Sequence, residues 1–119
     1  MRKNDQRNSL MYLQDMHLAM RKIIQYLEGY IYESFVEDER TVDAVIRNFE
    51  IIGEASKNIP ARIKSEYPEL PWAEMYALRN QASHAYFNMI PKIIWEIATN
   101  NLPQNIKIVE NIISVERDK

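Results

Sequence analysis

Apolar residues in the first third of the chain return at helical intervals: Leu10, Leu13, Met16 or His17, Met20, Ile24 and Leu27, with polar residues between them. The spacing predicts one long amphipathic helix. Gly29 follows it and suits the left-handed conformation that ends helices and that other residues avoid. Residues 30–37 carry Tyr30, Tyr32 and Phe35 without a clear period and read as a packed connection. A second helix is expected to start near Asp38, whose carboxylate can cap it, with Val42, Val45, Ile46, Phe49, Ile52 and Ala55 as its apolar stripe. Gly53 lies inside that pattern at a cost of ~1 kcal/mol relative to alanine, which points to close packing against a neighbour.

Proline punctuates the rest of the chain, at Pro60, Pro68, Pro71, Pro91 and Pro103. Because proline is tolerated in the first turn of a helix and disruptive further in, these positions predict where helices begin. The reading is a short helix after Pro60, a bend at Tyr67-Pro68-Glu69-Leu70-Pro71, and a helix over residues 72–86. Another helix follows Pro91, and a last one follows Pro103 with Ile106, Val109, Ile112 and Ile113 on its inner face. With two glycines in 119 residues, a turn-rich β fold is disfavoured. The expected architecture is all-α: a bundle of five or six helices with antiparallel neighbours, forming one domain over residues 1–119.

Composition removes several classes of function. A net charge of −2 and a pI near 5.7 argue against the broad basic face that nonspecific nucleic-acid binding needs. There is no cysteine, hence no disulfide, thiolate nucleophile or cysteine-rich zinc site, which suits a reducing cytoplasm. His17 and His84 stand alone, without paired metal-ligand spacing. Gly29 and Gly53 are too few for a P-loop or a dinucleotide fingerprint. No metal and no cofactor is therefore expected. The polar start, Met1-Arg2-Lys3-Asn4-Asp5, lacks a signal-peptide core, and no stretch is long and apolar enough to span a bilayer. The expectation is a soluble cytoplasmic protein.

One stretch concentrates chemistry. Arg79-Asn80-Gln81-Ala82-Ser83-His84, followed by Ala85-Tyr86-Phe87, puts a permanent cation, an amide, an imidazole and a phenol close together. Arginine holds phosphate oxygens through a planar fork of donors, and histidine moves protons near neutral pH. Those are the minimum parts for cleaving RNA without a metal. From Arg79 to Trp95 there are two cations, Arg79 and Lys92, and no carboxylate, so an anionic ligand is drawn there first. At about 100° per residue, Arg79, Ser83 and Tyr86 share one stripe, and Asn80 and His84 share a second. Arg79 and His84 are about 140° apart on an unbroken helix, which favours a site completed across a two-fold interface.

Taken singly, each of these residues has a duller explanation: Arg79 as an ion-pair partner, His84 as a helix-end donor, Tyr86 and Phe87 as core aromatics. His17 reads as a packed, hydrogen-bonded histidine, and Trp72 and Trp95 as core anchors. Glu37-Asp38-Glu39 reads as helix-start charge rather than a metal site. Glu54, beside Gly53, has no assigned role.

Arg79-Asn80-x-x-x-His84-x-Tyr86-Phe87 resembles the signature of the HepT-type HEPN toxins, the toxin half of prokaryotic HEPN/MNT (type VII) toxin–antitoxin pairs. Asp43-Ala44-Val45, Ile51-Ile52-Gly53-Glu54-Ala55, Tyr67-Pro68-Glu69-Leu70-Pro71-Trp72 and Trp95 agree with it in order. The resemblance spans roughly residues 10–102. It implies an all-α homodimer whose motifs meet in a cleft between protomers, and a metal-independent endoribonuclease. Arg79 would bind the scissile phosphate, His84 would transfer protons, and Asn80 would position the phosphate or the arginine. It also implies a partner, a minimal nucleotidyltransferase antitoxin that adds AMP to Tyr86 (AMPylation). A rival reading keeps the dimer and that partner without RNA cleavage: a non-catalytic helical binding subunit.

Overall fold

The computed structural model describes residues 2–83 and 90–119, with side chains for residues 6–77 and 91–119. Among the described residues there is no strand, and the helices are α1 (Arg2–Tyr26), α2 (Tyr32–Glu37), α3 (Glu39–Lys57), α4 (Ala61–Glu66), α5 (Trp72–Ser83), α6 (Ile90–Asn100) and α7 (Leu102–Arg117). The all-helical expectation holds. At 1.5 Å per residue α1 runs about 37 Å, most of the 47 Å long axis of the molecule.

α3 is the central helix. It packs along both α1 and α5, while α1 also packs against α7. The core between them is formed by Leu13, Met16, Met20 and Ile23 of α1, Val45, Phe49 and Ile52 of α3, Ile94 of α6, and Val109 and Ile112 of α7. Each such side chain contributes ~1.5–3 kcal/mol when taken fully out of water. The buried face of α1 follows Met16, Met20 and Ile23 and continues to Leu27 just past its end, so Ile23 rather than Ile24 enters the core. Ile24 lies about 100° further round and is only partly covered.

Residues 30–37 depart from expectation, since they contain the short helix α2. Local hydrogen bonds explain it: Ser34 Oγ accepts from the Ile31 amide and donates to the Ile31 carbonyl, both at 3.1 Å. Phe35 N–H donates to Ile31 at 2.9 Å, and the Phe35 ring is fully buried against Trp95 at 5.3 Å between centroids. The helix count is therefore higher than the five or six expected, although the segment packs as foreseen.

The punctuation falls where the sequence put it. Gly29 adopts φ +83°, the left-handed region that ends α1. Asp38 caps α3: its Oδ1 accepts from Thr41 N–H at 3.1 Å and its Oδ2 from Thr41 Oγ1 at 2.9 Å and from the Tyr30 hydroxyl. The Tyr30 hydrogen bond, then those from Thr41, hold the Asp38 carboxyl below the usual carboxylate range. Gly53 is buried within α3, and the buried Asn48 and Ser56 satisfy themselves on the α3 carbonyls of Ala44 and Gly53. Pro60 stands at the N-cap of α4. Trp72 Nε1 donates to the Tyr67 carbonyl at 2.9 Å and closes the bend before α5. Pro91 and Pro103 sit in the first turns of α6 and α7.

Long-range polar contacts among the described residues tie α7 to the rest. His17 on α1 meets Glu110 on α7 at 2.9 Å through Nε2, as expected of a packed, hydrogen-bonded histidine. Glu116, with no exposed side-chain surface, receives Arg62 Nη2 from α4 at 3.0 Å and Lys119 Nζ at 2.9 Å. The Gln6 amide donates to the Glu116 carbonyl at 2.8 Å, drawing in the start of α1. Burial alone would raise the Glu116 carboxyl; hydrogen bonds and charge from Arg62 and Lys119 outweigh it and hold the group below the usual range.

Candidate active site

The candidate catalytic stretch begins on α5. Met75 anchors that helix in the core, and α5 lies along α3. Arg79 and Asn80 belong to the last turns of α5, whose backbone is helical to Ser83. Their side chains lie outside the described residues, as do His84 and Tyr86, which precede the start of α6 at Ile90.

The described residues show two further features. On α6, the exposed Lys92 places Nζ 5.4 Å from the centroid of the Tyr32 ring, a cation–π contact. Tyr32 in turn meets Trp95 edge to face at 6.2 Å. Trp95 is thus a packing anchor between α2 and α6, as the sequence suggested, and Trp72 is likewise partly buried against the core. Separately, the outward face of α3 carries Arg47, Glu50, Glu54 and Asn58, which with Tyr12 and Asp15 of α1 line a groove of about 350 Å³. Sequence reading did not find this groove. The signal present was the polar stripe Arg47, Glu54, Asn58 at helical spacing, but nothing local ties it to Tyr12 and Asp15.

The Glu37-Asp38-Glu39 run is a helix cap with first-turn charge. Among the described residues no three His, Asp or Glu side chains converge as a metal-holding set. Among them, too, no helix is long and apolar enough to cross a membrane.

A family model of HepT-like ribonucleases matches residues 16–112. The chain belongs to that family. It is 40% identical over 102 residues to a protein of Methanocaldococcus jannaschii that carries an RNase name, covering 86% of this chain and 84% of that one. It is 41% identical over 92 residues to the "Probable ribonuclease HepT" of Thermococcus cleftensis, covering 77% and 84%. An RNase-named protein of Caldanaerobacter subterraneus is 33% identical over 106 residues, covering 89% and 95%. No solved structure matches. As a HepT-like ribonuclease the protein is an RNA-cleaving enzyme, an endoribonuclease. The non-catalytic reading is set aside.

Proposed function

We propose that this HepT-like ribonuclease is the toxin of a toxin–antitoxin pair. It acts in the cytoplasm as a homodimer, cleaves RNA without a metal at a site built from Arg79, Asn80 and His84, and is silenced by AMPylation of Tyr86. The observation that carries the reading is the order Arg79, Asn80, His84, Tyr86 in a chain of this family, with the first two residues on the helix packed against α3.

The chemistry follows from the groups. One His84 imidazole takes the proton of the ribose 2′-hydroxyl, and O2′ attacks the adjacent phosphorus. Arg79 binds the non-bridging oxygens as charge builds on the five-coordinate phosphorus. The P–O5′ bond breaks, and the partner subunit's His84, protonated, supplies the proton to the leaving oxygen. The products are a 2′,3′-cyclic phosphate and a 5′-hydroxyl. DNA, lacking the 2′-hydroxyl, is spared. Asn80 positions the phosphate or the Arg79 fork.

Silencing uses a nucleotidyltransferase antitoxin and its ATP: the Tyr86 oxygen attacks the α-phosphorus and pyrophosphate leaves. The adenylyl group sets bulk and negative charge beside a site made for phosphate. The test is intact mass of the protein expressed alone, with its cognate nucleotidyltransferase, and as Tyr86→Phe with that enzyme. AMP-sized increments that need both the partner and Tyr86 support the reading. Increments that persist in Tyr86→Phe, or none at all, refute the assignment of Tyr86.

A further inference from the structure

The groove between α1 and α3 has a composition that suits one part of an RNA strand and not another. Tyr12, Asp15, Arg47 and Glu50 line it without a hydrogen bond or ion pair to any described residue. Asn58 gives its amide to the Glu54 carbonyl at 3.0 Å, which leaves its side-chain oxygen to accept. The groove therefore offers acceptors on both walls, one cation, and a partly buried aromatic ring. Carboxylates outnumber the arginine, so it does not suit a phosphate alone. What it can satisfy is a planar group that brings N–H donors, with a single anion alongside for Arg47.

We propose that this groove is a base-reading subsite for the substrate RNA, taking a nucleobase with an exocyclic amino group. Tyr12 supplies the ring on which the base stacks. Glu50 and Asp15 accept from the amino group, the pairing by which carboxylates read cytosine N4. Arg47 holds the phosphate of the same nucleotide through its fork. Uracil presents a carbonyl where cytosine presents the amine, so it meets carboxylates with its own oxygen and is rejected. Placement supports the assignment: α3 bears the groove on its outward face and packs directly on α5, the helix of Arg79 and Asn80. Packed helix axes lie about 8–10 Å apart, which lets one strand reach both.

The proposal rests on the ribonuclease reading but not on any catalytic residue. Its test is binding of hexanucleotides made uncleavable by 2′-O-methylation, all cytosine against all uracil, to the full chain by fluorescence anisotropy. Cytosine should bind about 10-fold tighter than uracil. The double variant Asp15→Asn with Glu50→Gln should reduce that preference to about 2-fold, and Arg47→Ala should weaken both oligomers alike and lower the salt dependence. Equal affinity in the unmodified protein overturns the proposal, and so does a preference that survives the double variant. A double variant that changes the sedimentation behaviour and leaves the preference intact also overturns it, making the groove a contact between copies. Cleavage of unmodified RNA by the same preparation separates failure of the subsite from failure of the ribonuclease reading.

Discussion

Glu116 is a carboxylate sealed from solvent and held by two cations that are themselves about half exposed. Removing one partner of a fully buried ion pair costs about 3–5 kcal/mol, because the remaining charge stays desolvated. Here Arg62 is 47% exposed, so water takes over part of its role, and Lys119 still faces the carboxylate. Discounted for that screening, Arg62→Ala should destabilise the protein by about 2 kcal/mol. At ~2.1 cal/mol/K of unfolding entropy per residue, a chain of this length loses about 8 °C in Tm. Thermal and urea unfolding followed by far-UV circular dichroism measure both quantities.

The pH dependence gives a second reading of the same contact. The folded-state pKa of Glu116 lies below its ordinary value of 4.5. Its contribution is therefore fully present above that value and is lost as pH falls through the lowered folded value. Arg62→Ala removes much of the depression, so the gap between variant and unmodified protein should narrow below pH 4.5. A change under about 0.5 kcal/mol at neutral pH, the range of ordinary surface substitutions, would refute the reasoning. So would a gap that widens in acid.

Gly29→Ala should cost about 1–2 kcal/mol, because φ +83° forces Cβ against the following carbonyl; an unchanged urea midpoint would count against it. Ile52→Ala, in the middle of α3 and almost fully buried, should cost about 2–5 kcal/mol by chemical denaturation, whereas a loss below 1 would mean the core collapses around the gap. Arg79→Lys should lose most RNA cleavage while keeping its circular dichroism, since a point charge does not reproduce bidentate phosphate contact; full activity would rule out that role.

Local patterns made most of the fold legible. Leu13, Met16, Met20 and Leu27 repeat at helical spacing and are buried; Gly29, Asp38, Pro60, Pro91 and Pro103 mark ends because their backbone or capping chemistry acts within a few residues. α2 escaped because its six residues are too short for a period, and its start depends on Ser34 bonding Ile31. The contacts between His17 and Glu110 and between Arg62 and Glu116 were invisible, being 93 and 54 residues apart. Glu116 in particular looks like ordinary last-turn charge in sequence. The candidate catalytic groups were legible for a different reason: Arg79, Asn80, His84 and Tyr86 are consecutive enough to read as one motif. The α1–α3 groove was not, because its walls come from positions more than 30 apart.

The central claim is RNA cleavage by Arg79 and His84 through the 2′-hydroxyl. It is tested most directly by incubating the purified protein and its His84→Ala variant with RNA in excess chelator, then identifying product ends by mass spectrometry. The account predicts 2′,3′-cyclic phosphate and 5′-hydroxyl ends from the unmodified protein and none from the folded variant. Cleavage that stops with chelator, or ends of another kind, or a fully active His84→Ala protein, would contradict it.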